Sequence, residues 1–144
     1  MLVVLGTLLI DLLASPWVPC AKRIPMIVAA VQQLPSERSV PAVYAAADLD
    51  PRCDTITNYQ AEIALQLDQL DIADRATSDA ITFNPNSSVS WLLRSQYHLK
   101  IGDLAAAEAD YAIAVELSER IPGNDNALTS LEQLRQELDA AVRG

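Results

Sequence analysis

The sequence predicts an all-α protein built of helix-turn-helix units, and three observations carry the prediction. Sliding the chain against itself by 34 residues brings small residues into register: Ala46, Ala80 and Ala114, and again Ser39, Ala73 and Ala107. A fixed period of this length is the signature of a repeat architecture. Aromatic residues make up only 5% of the chain while alanine is abundant, which suits close helix packing better than strands. Near the end, Leu128, Leu131, Leu134 and Leu138 recur at helical spacing, with Glu and Gln on the other face.

Residues 1–23 differ from the rest. They begin with the apolar run MLVVLGTLLI, carry Asp11 in the middle, and end in Trp17 and the basic pair Lys22-Arg23. A spanning helix needs about 20 apolar residues, a length that Met1 to Ala21 reaches. A tryptophan followed by basic residues suits a membrane boundary. Three readings stay open: a membrane helix, a cleaved signal peptide, or an apolar helix packed on the first repeat. The signal peptide lacks its basic start. The packed helix is favoured by Asp11, because a lone carboxylate in lipid is costly. In a single span, Lys22 and Arg23 would favour the cytoplasm for the repeats, whereas a packed helix would make the protein soluble and cytoplasmic.

Residues 24–53 form a degenerate helical pair in which only the end of the second helix keeps the pattern, through Ala46, Leu49 and Pro51. Residues 54–121 hold two better units. Ala107 and Ala114 are seven apart and so share one helix face, where small side chains allow a second helix to approach. Trp91 and Tyr111 supply the volume around them. Gly102 can take φ > 0 and end a helix, and Asp103 can cap the next. Asp50-Pro51 and Asn84-Pro85 close their units, because the residue before proline avoids the α region. The core set expected from this register is Ala61, Ala64, Ala73, Ala80, Trp91, Ala107, Tyr111 and Ala114. Residues 122–144 close the chain as a capping helix with a polar outer face.

Together, Trp91, Gly102-Asp103, Ala107, Tyr111, Ala114 and Leu117 resemble the tetratricopeptide repeat family, whose units are 34-residue helix pairs stacked into a solenoid. Residues 88–121 match best, with Ser95 where the family prefers Gly and His98 where it prefers Tyr. Residues 54–87 match in Ala61, Ala73, Ala80, Phe83 and Pro85, but Thr57 and Asp68 replace the Trp and the Gly. The resemblance implies a non-catalytic scaffold that binds an unidentified protein or peptide along its first helices. The groove positions it implies are Asn58, Glu62, Leu65 and Gln66, then Leu92, Gln96, Leu99 and Lys100. Members that clamp a C-terminal carboxylate use Lys and Asn there. Asn58 and Glu62 occupy those places here, and Glu62 would repel a carboxylate, so no such clamp is expected. A weaker resemblance links LLIDLLASPWVPCAKR and the repeats to the tail of bacterial O-antigen ligase and polymerase relatives. That would make the chain a piece of a membrane glycan enzyme.

Composition narrows the partners. The net charge is −9, and residues 1–38 hold two acids against three bases, so the acidic excess lies in the repeats. Nucleic acid is disfavoured, since phosphate binding needs a basic surface. With 4 glycines, no GxxxxGK[ST] or GxGxxG, and no GxSxG or HExxH, no nucleotide cofactor or hydrolytic site is expected. The single histidine, His98, reads as a packed residue on the Trp91 face. Asp68, Asp71 and Asp74 are spaced by three rather than two and lack the glycine and glutamate of a calcium loop, so no metal is expected. Cys20 and Cys53 lie almost one period apart. An oxidising compartment would allow a disulfide between them; otherwise they are two thiols.

Overall fold

The computed structural model describes Pro25 and residues 36–49, 52–120 and 125–143. Among them are six helices and no strand. They are α1 (Ser36–Leu49), α2 (Asp54–Gln66), α3 (Leu70–Phe83), α4 (Ser88–Lys100), α5 (Leu104–Glu119) and α6 (Asp125–Arg143). The all-α expectation holds. The apolar segment 1–23 and, apart from Pro25, the first helix expected within 24–53 lie outside the described residues. Among the described residues, no helix is long and apolar enough to cross a membrane.

Two helical hairpins dominate, α2–α3 and α4–α5. Asp54 and Ser88 open their first helices 34 residues apart, and Leu70 and Leu104 open their second helices at the same interval. Both hairpins turn in the same way. After α4, Gly102 adopts φ 80°, its N–H donates to Leu99 O at 3.1 Å, and the Asp103 N–H reaches His98 O at 2.9 Å. After α2, Asp68 takes φ 54°, its N–H donates to Leu65 O at 3.4 Å, and the Gln69 N–H reaches Ala64 O at 2.8 Å. This is the Schellman arrangement, which satisfies the carbonyls a helix end leaves over.

The helix starts are less alike. Asp103 caps α5 by accepting the Ala106 N–H at 3.1 Å, and Ser87 caps α4 through the Ser90 N–H at 3.4 Å. Gln69 opens α3 with no side-chain cap. Asn84 closes the α2–α3 hairpin instead: its amide donates to Asp54 Oδ2 at 2.7 Å, joining the end of α3 to the start of α2.

Small residues line the helix crossings. Ala61, Ala64, Ala73, Ala80, Ala107 and Ala114 are all fully buried. Trp91 and Tyr111, expected in the core beside them, are only half-buried against its edge. Each keeps a polar engagement at the surface. The Trp91 indole N–H donates to Pro85 O at 2.8 Å, and the Arg94 guanidinium lies 4.3 Å from its ring centre. The Arg135 guanidinium stands 5.3 Å from the Tyr111 ring. Cation–ring contacts of this kind contribute about 0.5–1 kcal/mol at exposed sites.

At the ends of the array, α1 and α6 dock on these hairpins. α1 carries Pro41 beyond its first turn, where proline removes a helical hydrogen bond. Burial of Val43, Ala46 and Ala47 offsets that loss, and the Tyr44 hydroxyl donates to Gln69 Oε1 at 2.6 Å. α6 buries Leu131, Leu134 and Leu138 against the core, while Leu128, at the edge of the stripe, stays exposed. Arg135 fixes α6 to α5 with a bidentate pair to Glu108, at 2.9 and 2.7 Å, and also reaches Asp139. The Glu108 hydrogen bonds, then those of Asp139, raise the basicity of this guanidinium above its ordinary value.

Candidate protein-binding groove

Because α2 and α4 start one period apart, equal positions on them face the same way. They contact each other directly, and α6 packs on α4. Two adjoining concavities run along this face. The larger, about 420 Å³, is lined from α2 by Asp54, Thr55, Asn58, Tyr59 and Glu62. Ser87, Val89, Leu92, Leu93 and Gln96 come from α4 and its cap, and Ser130 and Gln133 from α6. The second, about 310 Å³, is lined by Glu62, Leu65, Gln66, Gln96, Leu99, Lys100 and Glu137. Glu62 and Gln96 belong to both.

The structure therefore places Asn58, Glu62, Leu92 and Gln96 around the first hollow, and Glu62, Gln66, Gln96 and Lys100 around the second. These residues are not equally available. Asn58 is buried and accepts the Ser90 hydroxyl at 3.0 Å, so it braces α2 against α4 at the floor. Leu92 is also buried. Gln96 is half-buried, while Glu62 and Gln66 are exposed. Lys100 pairs with Asp68 across to the α2–α3 turn. Tyr59 and Val89 expose 42% and 45% of their surfaces at the rim, which gives the face apolar anchors beside its acids.

Sequence reading left out the contribution of α6. The signal is present but displaced. α6 opens at Asp125, three residues later than a further period from Ser88 would put it. With that offset Gln133 answers to Gln96 and Glu137 to Lys100.

Behind this face, between α4 and α5, lies a polar cluster. Arg94 holds both oxygens of buried Asp110, with Nε donating to Oδ2 at 2.8 Å and Nη2 to Oδ1 at 2.7 Å. His98 Nε2 stands 3.5 Å from Asp110 Oδ2, and His98 Nδ1 is buried with no hydrogen-bond partner. The nearby Ser95 hydroxyl donates to Ala107 O at 2.7 Å. The carboxylate is thus committed to a bidentate ion pair that locks the hairpin. His98 is half-buried on the same helix face as Trp91 and Arg94.

Among the described residues, no group of three or more His, Cys, Asp or Glu could hold a metal ion. Cys53 is fully buried at the start of α2, and the position of Cys20 lies outside the described residues. No protein-family model matches the chain, and no curated protein does.

Proposed function

We propose that this protein is a non-catalytic interaction module, a helical-repeat solenoid of the tetratricopeptide kind. It holds a segment of another protein along the face formed by α2, α4 and α6. The observation that carries this reading is the pair of hollows sharing Glu62 and Gln96, between helices spaced one 34-residue period apart. Their lining mixes apolar rim, amide and carboxylate. Such a surface suits a peptide, with apolar anchors for burial and polar groups for register. The apolar character of residues 1–23 supports tethering of the module to a membrane.

Site-specific photocrosslinking of the full chain in its native cells tests the binding face. A crosslinker at Gln96 should trap a discrete adduct, and one at Glu119, on α5, should not. Equal labelling at both positions counts against the groove. Carbonate extraction of the full chain beside a form lacking residues 1–23 tests the tether. Extraction of both forms would discard it.

A further inference from the structure

We infer that the segment held by this face is cationic and amphipathic, with a Lys or Arg side chain set against Glu62 and an apolar side chain against Tyr59, Val89 and Leu92. This rests on the groove reading above and names the chemistry of its occupant. Glu62 stands where the two hollows meet, is exposed, and has no ion-pair or hydrogen-bond partner among the described residues. The cation lining the second hollow, Lys100, is already paired with Asp68. Asp54 and Glu137 add charge of the same sign at either end. Each receives a neutral amide, from Asn84 at 2.7 Å in the first case and from Gln133 at 3.1 Å in the second, which leaves its charge uncancelled.

Three kinds of occupant can be weighed against that geometry. An acidic segment would bring like charges together at Glu62, which disfavours the complex. A neutral apolar segment would bury the Glu62 carboxylate with nothing to replace its water. A cationic segment replaces that water with an ion pair while its apolar side chains cover the rim. Charge alone does not account for the site, because the apolar surface of Val89, exposed at the rim, is covered only by an apolar side chain.

Three fluorescent peptides of equal length test this on the full chain by anisotropy: a Lys/Leu peptide, a Gln/Leu peptide and a Lys/Ser peptide. The Lys/Leu peptide should bind about tenfold more tightly than either of the others, and its binding should weaken with added salt. Glu62→Lys should reduce that binding by about tenfold or more. Glu119→Lys, an equal change of charge outside both hollows, should leave it unaltered. The inference is overturned if the Gln/Leu peptide binds as tightly, if the Lys/Ser peptide does, or if Glu119→Lys weakens binding as much as Glu62→Lys. Gln96→Trp, which places a bulky ring where the two hollows meet, separates the two levels. Should it block a Gln/Leu peptide that binds as well as Lys/Leu, the groove stands and the cationic inference falls. Should it leave all peptide binding untouched, both fall.

Discussion

The two hairpins share a backbone plan and are held by different interactions. In α4–α5 the turn has Gly102, the second helix has its Asp103 cap, and a bidentate Arg94–Asp110 pair crosses the interface. One period earlier, the same places hold Asp68, Gln69, Gln60 and Ala76. No ion pair joins those two residues, because Ala76 has nothing to offer Gln60. The Gln60 side chain is nonetheless buried, and its Nε2 finds no hydrogen-bond partner. Thr57 and Thr77, where Trp91 and Tyr111 stand in the later unit, bond back to their own helices. Buried alanines are common to both hairpins. Small residues at the crossing set the architecture, and the polar contacts around them differ in how well they are satisfied.

The largest expected effect comes from breaking the better-connected hairpin. Asp110→Ala leaves Arg94 beside a buried void with no anion, and should cost about 3 kcal/mol in urea unfolding. Replacing both partners, as Arg94→Met with Asp110→Leu, should cost much less, since no charge is then stranded. A double variant as unstable as the single one would mean that the pair acts through packing and not through charge.

Overpacking comes next and probes what the hairpins share. Ala107→Leu should cost about 1–3 kcal/mol, and so should Ala73→Leu at the equivalent place, because both alanines have no free surface. Thermal melts of the two variants should fall together. An unchanged melting temperature for Ala107→Leu would count against a common register.

Those alanines were legible in the sequence because volume and backbone conformation belong to single residues. Gly102 announces a turn, Asp103 announces a cap, and an alanine recurring every 34 residues announces a close approach. The contacts that distinguish the hairpins carry no such local mark. Arg94 and Asp110 are 16 residues apart, Ser90 and Asn58 are 32 apart, and Arg135 and Glu108 are 27 apart. Each of these residues alone reads as one more polar position on a solvated face. The lining of the two hollows was readable on α2 and α4, where one position implies the next. It was not readable on α6, where the three-residue offset breaks the register.

A smaller effect, opposite in sign, is expected in the less satisfied hairpin. Gln60→Met keeps the length of the side chain and removes the buried unpaired amide. It should stabilise the protein by about 1 kcal/mol. Calorimetry showing a loss instead would mean that the amide has found a partner in solution, such as an ordered water, and that the two hairpins are closer in quality than their geometry implies.

The finest comparison exchanges the turn residues. Asp68 adopts a left-handed conformation that disfavours any residue with a Cβ, while Gly102 meets the same demand without penalty. A Cβ added at Gly102 would meet no atom within 4 Å, so Gly102→Ala isolates the backbone term. It should cost roughly 0.5–1 kcal/mol, the left-handed penalty less the entropy that Ala removes from the unfolded chain, and Asp68→Gly should gain a similar amount. The gain is not cancelled by losing the Asp68–Lys100 pair, because both side chains are well exposed and such pairs contribute little. Asp68→Asn separates the two terms: it keeps tolerance of the left-handed region and removes only the charge, so its stability should stay close to that of the parent. If Asp68→Asn fell as far as Gly102→Ala, the Lys100 pair and not the backbone would be holding the α2–α3 turn. Freeing Lys100 in that variant would also place an unpaired cation beside Glu62, and should weaken binding of a Lys/Leu peptide even where the fold is unchanged.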